Sequence, residues 1–221
     1  VFSCLIPTFR KGEYWEKIYE GFQKGAVANP YFNIELDFHL YNQTDLNSYK
    51  KCCRDILEAN PAGVIMNTVF RTETAKFSEK LDAAQIPYAF VDNVFDELNY
   101  TVYYGVDPYK SGALGAFLLT NRSNPKEILQ VRLIRDLEHH ADPNSTRRQG
   151  FMDYIHRTLP ETKVHTVFVQ PSDPQQTYLT LDRFFKENPN VKHMVMTSSR
   201  IYLIDEFLQN NPDPERVVLG F

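Results

Sequence analysis

Apolar positions along this chain switch repeatedly between a period of two and a period near that of one helical face. Residues 1–7 form a short apolar run rich in strand formers. Trp15, Ile18, Tyr19, Phe22 and Ala26 then recur at helical spacing within 13–28. Phe32, Ile34, Leu36, Phe38 and Leu40 alternate, which predicts a strand over 32–40. Thr44 or Asp45 is placed to cap a second helix reaching about Ala59, with Asn60 and Pro61 to end it. A short strand over 62–67, a helix over 72–84 and a strand over 87–92 follow. Another strand covers 103–106, and Asp107 caps a helix whose Ser111, Gly112, Ala113, Gly115 and Ala116 permit close packing. The remaining pattern gives strands at 127–134, 165–169, 193–198 and 217–221, separated by helices at 145–158, 174–186 and 201–209.

Repeated strand–helix units predict an α/β fold of parallel sheets flanked by helices. The rhythm restarts near Val106, and each half is large enough for its own core. Two Rossmann-like subdomains are therefore expected, at 1–106 and 107–221. The chain stops on a strand with no helix to cover it, so a C-terminal part is expected to be missing.

Composition narrows the function classes. With 24 basic and 28 acidic residues the formal charge is −4, so no global field draws this chain to nucleic acid. No apolar run approaches the ~18 residues of a membrane span. Cys4, Cys52 and Cys53 offer no C-x-x-C spacing, and adjacent Cys52 and Cys53 point to different helix faces; a reducing compartment is expected. His139 and His140 sit in a polar loop without a ligand partner at metal-binding spacing, so no metal is expected. The dinucleotide, phosphate-loop and nucleophile-elbow glycine motifs do not occur, and neither a cofactor nor an enzymatic role is expected.

In open parallel sheets, ligands bind beyond the C-terminal ends of the strands. Those positions hold Thr8, Phe9, Arg10, Tyr14 and Trp15 after the first strand, Asn67 and Thr68 after the third, and Asp92 and Asn93 after the fourth. Later in the chain they hold Arg147 and the run Ser198, Ser199 and Arg200. Aromatic faces, a carboxylate, amides, hydroxyls and guanidinium groups together suit a sugar, with its C–H faces and paired hydroxyls. Trp15 is the only tryptophan and lies on the helical stripe, where core packing competes with stacking on a ligand. Asp92 also suits a turn cap, and Arg147 a surface carboxylate. Residues 144–151 (Asn-Ser-Thr-Arg-Arg-Gln-Gly-Phe) read as a capped helix start with Arg147 in its first turn. A cation there opposes the helix dipole, and an anionic or hydroxyl-rich ligand is one reason to accept it. Gly150 lets that helix lie close to a neighbour.

These residues resemble the effector-binding domain of the lactose/galactose repressor (LacI/GalR) family, which is similar to type I periplasmic sugar-binding proteins. The resemblance runs from Val1 to Phe221. It is carried by Ile6-Pro7, by Tyr14-Trp15 with Gly21 and Ala26, and by Pro61-Ala62-Gly63-Val64-Ile65. Ile86-Pro87 leading to Val91-Asp92, Val106-Asp107 with Ser111-Gly112, and Arg147-x-x-Gly150-Phe151 continue it in order. Ser198-Ser199 stands where the family usually has Asn-Asp, and its next ligand aspartate follows a Gly-Phe pair, here Gly220-Phe221. The resemblance implies that Asp92 and Arg147 hydrogen-bond ligand hydroxyls and that Tyr14 or Trp15 lines the pocket. It also implies a small-molecule effector, a sugar or sugar derivative, bound in a cleft between two subdomains. A cytoplasmic homodimer is implied, without membrane association, touching DNA only through an attached N-terminal helix-turn-helix. The alternative is an extracytoplasmic sugar-binding protein, or a sensor domain serving a transporter or membrane kinase.

Overall fold

The computed structural model describes residues 1–67, 69–94, 98–134, 145–171 and 173–220. His139, His140, Asn144 and Thr68 lie outside them. The chain divides into two compact units, one built on Val1–Val106 and one on the chain from Asp107 onward.

The first unit is a parallel five-stranded sheet. Its strands are β1 (Phe2–Pro7), β2 (Leu36–Tyr41), β3 (Gly63–Met66), β4 (Tyr88–Val91) and β5 (Val102–Tyr104), in the order β2-β1-β3-β4-β5. Helices α1 (Tyr14–Ala28), α2 (Leu46–Ala59) and α3 (Arg71–Ala83) connect them. Side-chain alternation divides the strand residues between two cores. Leu5, Val64, Met66, Tyr88 and Phe90 pack with Tyr49, Ile56, Phe77 and Leu81 of α2 and α3. Ile6, Val91, Phe38 and Ile65 pack instead with Trp15, Ile18, Tyr19 and Phe22 of α1. Asp45 caps α2 by accepting from the Asn47 N–H at 2.9 Å, and Asn60 ends it in the left-handed region at φ 46°.

One expected element is corrected. The alternation from Phe32 to Leu40 is not one strand, because Pro30–Phe32 forms a 3₁₀ turn and β2 begins only at Leu36. Asn33 closes that turn at φ 47°, a conformation no strand tolerates, and Phe32 is left exposed. The true strand runs one residue further than expected, to the buried Tyr41.

The second unit is a parallel four-stranded sheet, β7-β6-β8-β9. Its strands are β6 (Glu127–Leu133), β7 (Lys163–Val169), β8 (His193–Met196) and β9 (Val217–Gly220). Ile128 and Val195 face α4 (Pro108–Thr120) and α5 (Ser145–Thr158), packing with Ala116, Leu119, Phe151 and Ile155. Leu129, Val131, Met194 and Met196 face the other side, which holds α6 (Pro174–Glu187) and α7 (Asp205–Asn210). The expected helix over 201–209 is split: Ser199–Ile204 is a 3₁₀ segment kinked at Arg200, and α7 follows. Asp107 and Asp173 cap α4 and α6 through the N–H groups of Lys110 and Gln176, each with a proline at the first helical position. Among the described residues, no helix is long and apolar enough to cross a membrane.

All three cysteines are free thiols. Burial, with a smaller contribution from Asp37, pushes the Cys4 thiol up to about 12, and burial pushes Cys53 to about 12. Cys52 is only partly buried, although burial raises it too. Because the thiolate is the nucleophile, Cys4 and Cys53 are expected to resist Ellman's reagent at pH 8 in the native protein. Titration should find at most Cys52 reacting early and all 3 cysteines reacting after unfolding in guanidinium.

Candidate functional site

In the first unit, the ends of β3 and β4 bring four expected residues together. The chain leaves β4 through Asp92, whose φ of 72° turns it into the left-handed region. Backbone and side chain both hold this turn. The Asp92 N–H donates to Tyr104 O at 3.0 Å, and the Tyr103 hydroxyl lies 3.0 Å from both Asp92 O and Val106 O. Side chains that donate to the carboxylate include those of Tyr14, Asn93 and Asn67. Tyr14, the first residue of α1, donates its hydroxyl to Oδ1 at 2.7 Å. Asn93 Nδ2 donates to Oδ2 at 3.0 Å, and Asn67 Nδ2 reaches the same oxygen at 3.4 Å.

Asn67 follows β3 and is fully buried. Its Nδ2 also donates to Val91 O at 3.3 Å, while its Oδ1 accepts from the buried Tyr41 hydroxyl at 3.1 Å. Of the carboxylate's acceptor positions, Oδ2 takes the Asn67 and Asn93 amides and Oδ1 takes the Tyr14 hydroxyl. Tyr14 is half exposed and packs edge-on against Trp15, with ring centroids 5.4 Å apart.

Trp15 itself is buried against Ile6 and Val91, so its ring serves the core. Thr8 and Arg10 are exposed on the loop after β1. Their backbone is fixed by Thr8 N–H to Tyr41 O at 2.8 Å and by Arg10 N–H to Glu13 Oε2 at 2.8 Å.

The second unit has its own polar cluster. Arg147 is the third residue of α5, and its Nη1 donates to Thr197 O, just beyond β8, at 3.4 Å. A carbonyl dipole thus offsets part of the conflict between a cation and a helix N-terminus. Ser198 is buried and begins the 3₁₀ segment, its Oγ accepting from the Arg200 N–H at 3.3 Å. That leaves the Ser198 hydroxyl proton for another partner, while Arg200 takes the bridge-region φ −84°, ψ 24° of the kink. The side chain of Ser199 lies outside the described part.

Tyr41, Tyr103 and Thr197 were not expected at these clusters. Tyr41 and Thr197 end or follow strands, so the strand-end rule could have found them; an aromatic at a strand end reads first as core. A depression of about 450 Å³ lined by Asp82, Gln85, Ile86, Pro87, Tyr88, Asn99, Tyr100 and Thr101 lies elsewhere. It sits at the N-terminal approaches to β4 and β5, the opposite strand ends from Asp92.

Comparison with solved structures places the fold. A protein from Bacteroides fragilis, provisionally classed as a LacI transcriptional regulator, superposes with a TM-score of 0.92 at 26% identity, covering 99% of this chain and 76% of that one. A sugar-binding protein of a sugar ABC transporter from Bacillus halodurans gives 0.82 at 18%, covering 100% and 74%. A carbohydrate-transporter solute-binding protein from Agrobacterium radiobacter, in complex with D-arabinose, gives 0.76 at 16%, covering 100% and 75%. No curated protein matches the sequence. Residues 3–221 match the periplasmic binding protein domain. Two parallel sheets flanked by helices, each with polar groups gathered at its strand ends, agree with that match, and the chain belongs to the periplasmic binding protein domain family.

Proposed function

We propose that this chain is the sugar-sensing effector domain of a LacI-type transcription regulator. In this reading it is a cytoplasmic homodimer that touches DNA only through an attached N-terminal helix-turn-helix, and it performs no catalysis. The observation that carries sugar binding is the Asp92 carboxylate, held by Tyr14, Asn67 and Asn93 at the end of β4. It places a carboxylate acceptor beside an exposed tyrosine at a strand end, a pairing that suits a neutral polyhydroxyl ligand. Arg147, on α5 of the second unit, is a separate candidate for ligand contact. Sugar-binding proteins among the structural neighbours support the same ligand class. Transport is the second reading, and the sugar-transporter binding proteins among those neighbours favour it.

The sugar is tested by titrating D-ribose, D-arabinose, D-xylose, D-glucose and D-galactose calorimetrically into the wild type and Arg147→Ala. We expect at least one sugar to bind the wild type, and Arg147→Ala to weaken it about tenfold, or about 1.4 kcal/mol. Equal binding by both proteins would remove Arg147 from the site, and no binding by the wild type would remove these sugars as ligands. Regulation and transport separate on the protein purified with its complete reading frame. Sugar-dependent retardation of promoter DNA supports the first, and export to the cell exterior the second.

A further inference from the structure

We propose that Tyr41 is a positioning residue for ligand binding: from inside the core, its hydroxyl sets which way the Asn67 carboxamide points, and Asn67 in turn orients Asp92. This rests on the reading of Asp92 as a sugar acceptor.

A carboxamide has two nearly isosteric ends, and only its surroundings decide which faces where. At Asn67 the two ends meet opposite chemistry. Asp92 Oδ2 at 3.4 Å and Val91 O at 3.3 Å are both acceptors and call for the NH2 end. The third neighbour is the Tyr41 hydroxyl at 3.1 Å, which serves as the donor to Oδ1. Without that donor the Oδ1 end of a fully buried side chain loses this partner, and the amide loses one of the contacts that fix its rotation.

The anchor itself is rigid. Tyr41 ends β2, is fully buried, and packs edge-on to Tyr49 at 4.9 Å and against Phe70 at 6.1 Å. Burial first, then the neighbouring Tyr49, pushes its hydroxyl well above the ordinary tyrosine range. It therefore remains a donor at every working pH. The chain of contacts runs from a core aromatic through a buried amide to the Asp92 carboxylate at the end of β4, and no step of it depends on an exposed side chain until Tyr14.

The obvious objection is that Tyr41 merely satisfies a buried amide and contributes stability alone. Tyr49 supplies the matched control. It is equally buried, stacks on the same aromatic cluster, and its hydroxyl pairs with Thr74 Oγ1 at 2.8 Å, on α3 and outside the Asp92 network. Tyr41→Phe and Tyr49→Phe each delete one buried hydroxyl and should lower the melting temperature comparably.

Only Tyr41→Phe should weaken the sugar that binds the wild type most tightly in the five-sugar panel, by on the order of three- to tenfold. In Asn67→Ala the added Tyr41→Phe change should then have no further effect on affinity. In side-chain amide NMR spectra without ligand, the Asn67 NH2 pair should be distinct and slow to exchange in the wild type and Tyr49→Phe. It should shift and exchange faster in Tyr41→Phe. Equal affinities of the two phenylalanine variants, or an Asn67 signal unmoved by Tyr41→Phe, overturns the proposal. If no sugar binds even the wild type, the sugar reading falls separately, and the amide signal still decides whether Tyr41 positions Asn67.

Discussion

Gly112→Ala is expected to destabilise the second unit by about 3 kcal/mol or more, enough to unfold a marginal domain. A Cβ at Gly112 would overlap the Arg147 carbonyl oxygen and lie 2.8 Å from Arg147 C and 2.9 Å from Phe151 N. All three are backbone atoms of a helix, so no side-chain rotation relieves the clash. The contact is reciprocal: a Cβ at Gly150 would overlap Tyr109 O and lie 3.1 Å from Tyr109 Cα. Helices α4 and α5 therefore meet backbone to backbone at two crossing glycines, and separating them would open the core of Ala116, Leu119, Phe151 and Ile155. Gly21→Ala is the internal control. That glycine also lies in a helix, yet nothing stands within 4 Å of its missing Cβ, so alanine there should stabilise by roughly 0.5–1 kcal/mol. Urea unfolding of the wild type, Gly112→Ala and Gly21→Ala gives the comparison. Because Arg147 is itself the residue pressed against Gly112, the alanine should also shift Arg147 and reduce ligand binding in whatever fraction remains folded. A Gly112→Ala protein as stable as Gly21→Ala would refute the close crossing.

The small residues of that crossing were legible in the sequence as helix positions suited to close packing. Which glycine meets which carbonyl was not, since a helix rotation of one residue changes the partner without changing the pattern. Strand–helix alternation likewise fixed the two sheets but misread residues 32–35. There, alternation continued through a 3₁₀ turn because exposed Phe32 happens to keep the phase of Leu36 and Phe38. The split near Arg200 was hidden for a related reason: a 3₁₀ segment running into a short helix keeps nearly helical spacing.

At the site, Tyr14, Asn67, Asp92 and Asn93 could be named from their places at strand ends, and the structure brings them into contact. Their supports could not. Tyr41 and Tyr103 act through a hydroxyl on an otherwise core-like ring, and Arg147 rests on a main-chain carbonyl that carries no residue signature. Trp15 shows the converse limit, a residue suited to stacking that the core uses instead.

Asp92→Asn is expected to reduce sugar affinity by on the order of 100-fold, about 2.7 kcal/mol, while leaving the protein folded. The substitution keeps size and shape, and asparagine tolerates the left-handed backbone at φ 72°. What changes is the hydrogen-bond sense. Donors that converge on the carboxylate include Tyr14, Asn67 and Asn93. An amide offers one oxygen to them and sets its NH2 against the remainder, so at least one donor must turn away. Its single oxygen is then engaged by the protein, and the charge that strengthened each bond to a ligand hydroxyl is gone. Asp92→Ala would confuse the matter, because alanine at positive φ adds about 1–2 kcal/mol of backbone strain to the lost acceptor. Asp92→Gly avoids that strain, and so separates the carboxylate from the turn. We expect the glycine and asparagine variants to melt within a few degrees of each other and both to bind the wild-type sugar poorly. Retention of affinity within threefold in both would place the ligand away from the end of β4, whatever the sugar. Loss in asparagine but not in glycine would mean that the misplaced NH2 blocks the site, and that the carboxylate contributes little by itself.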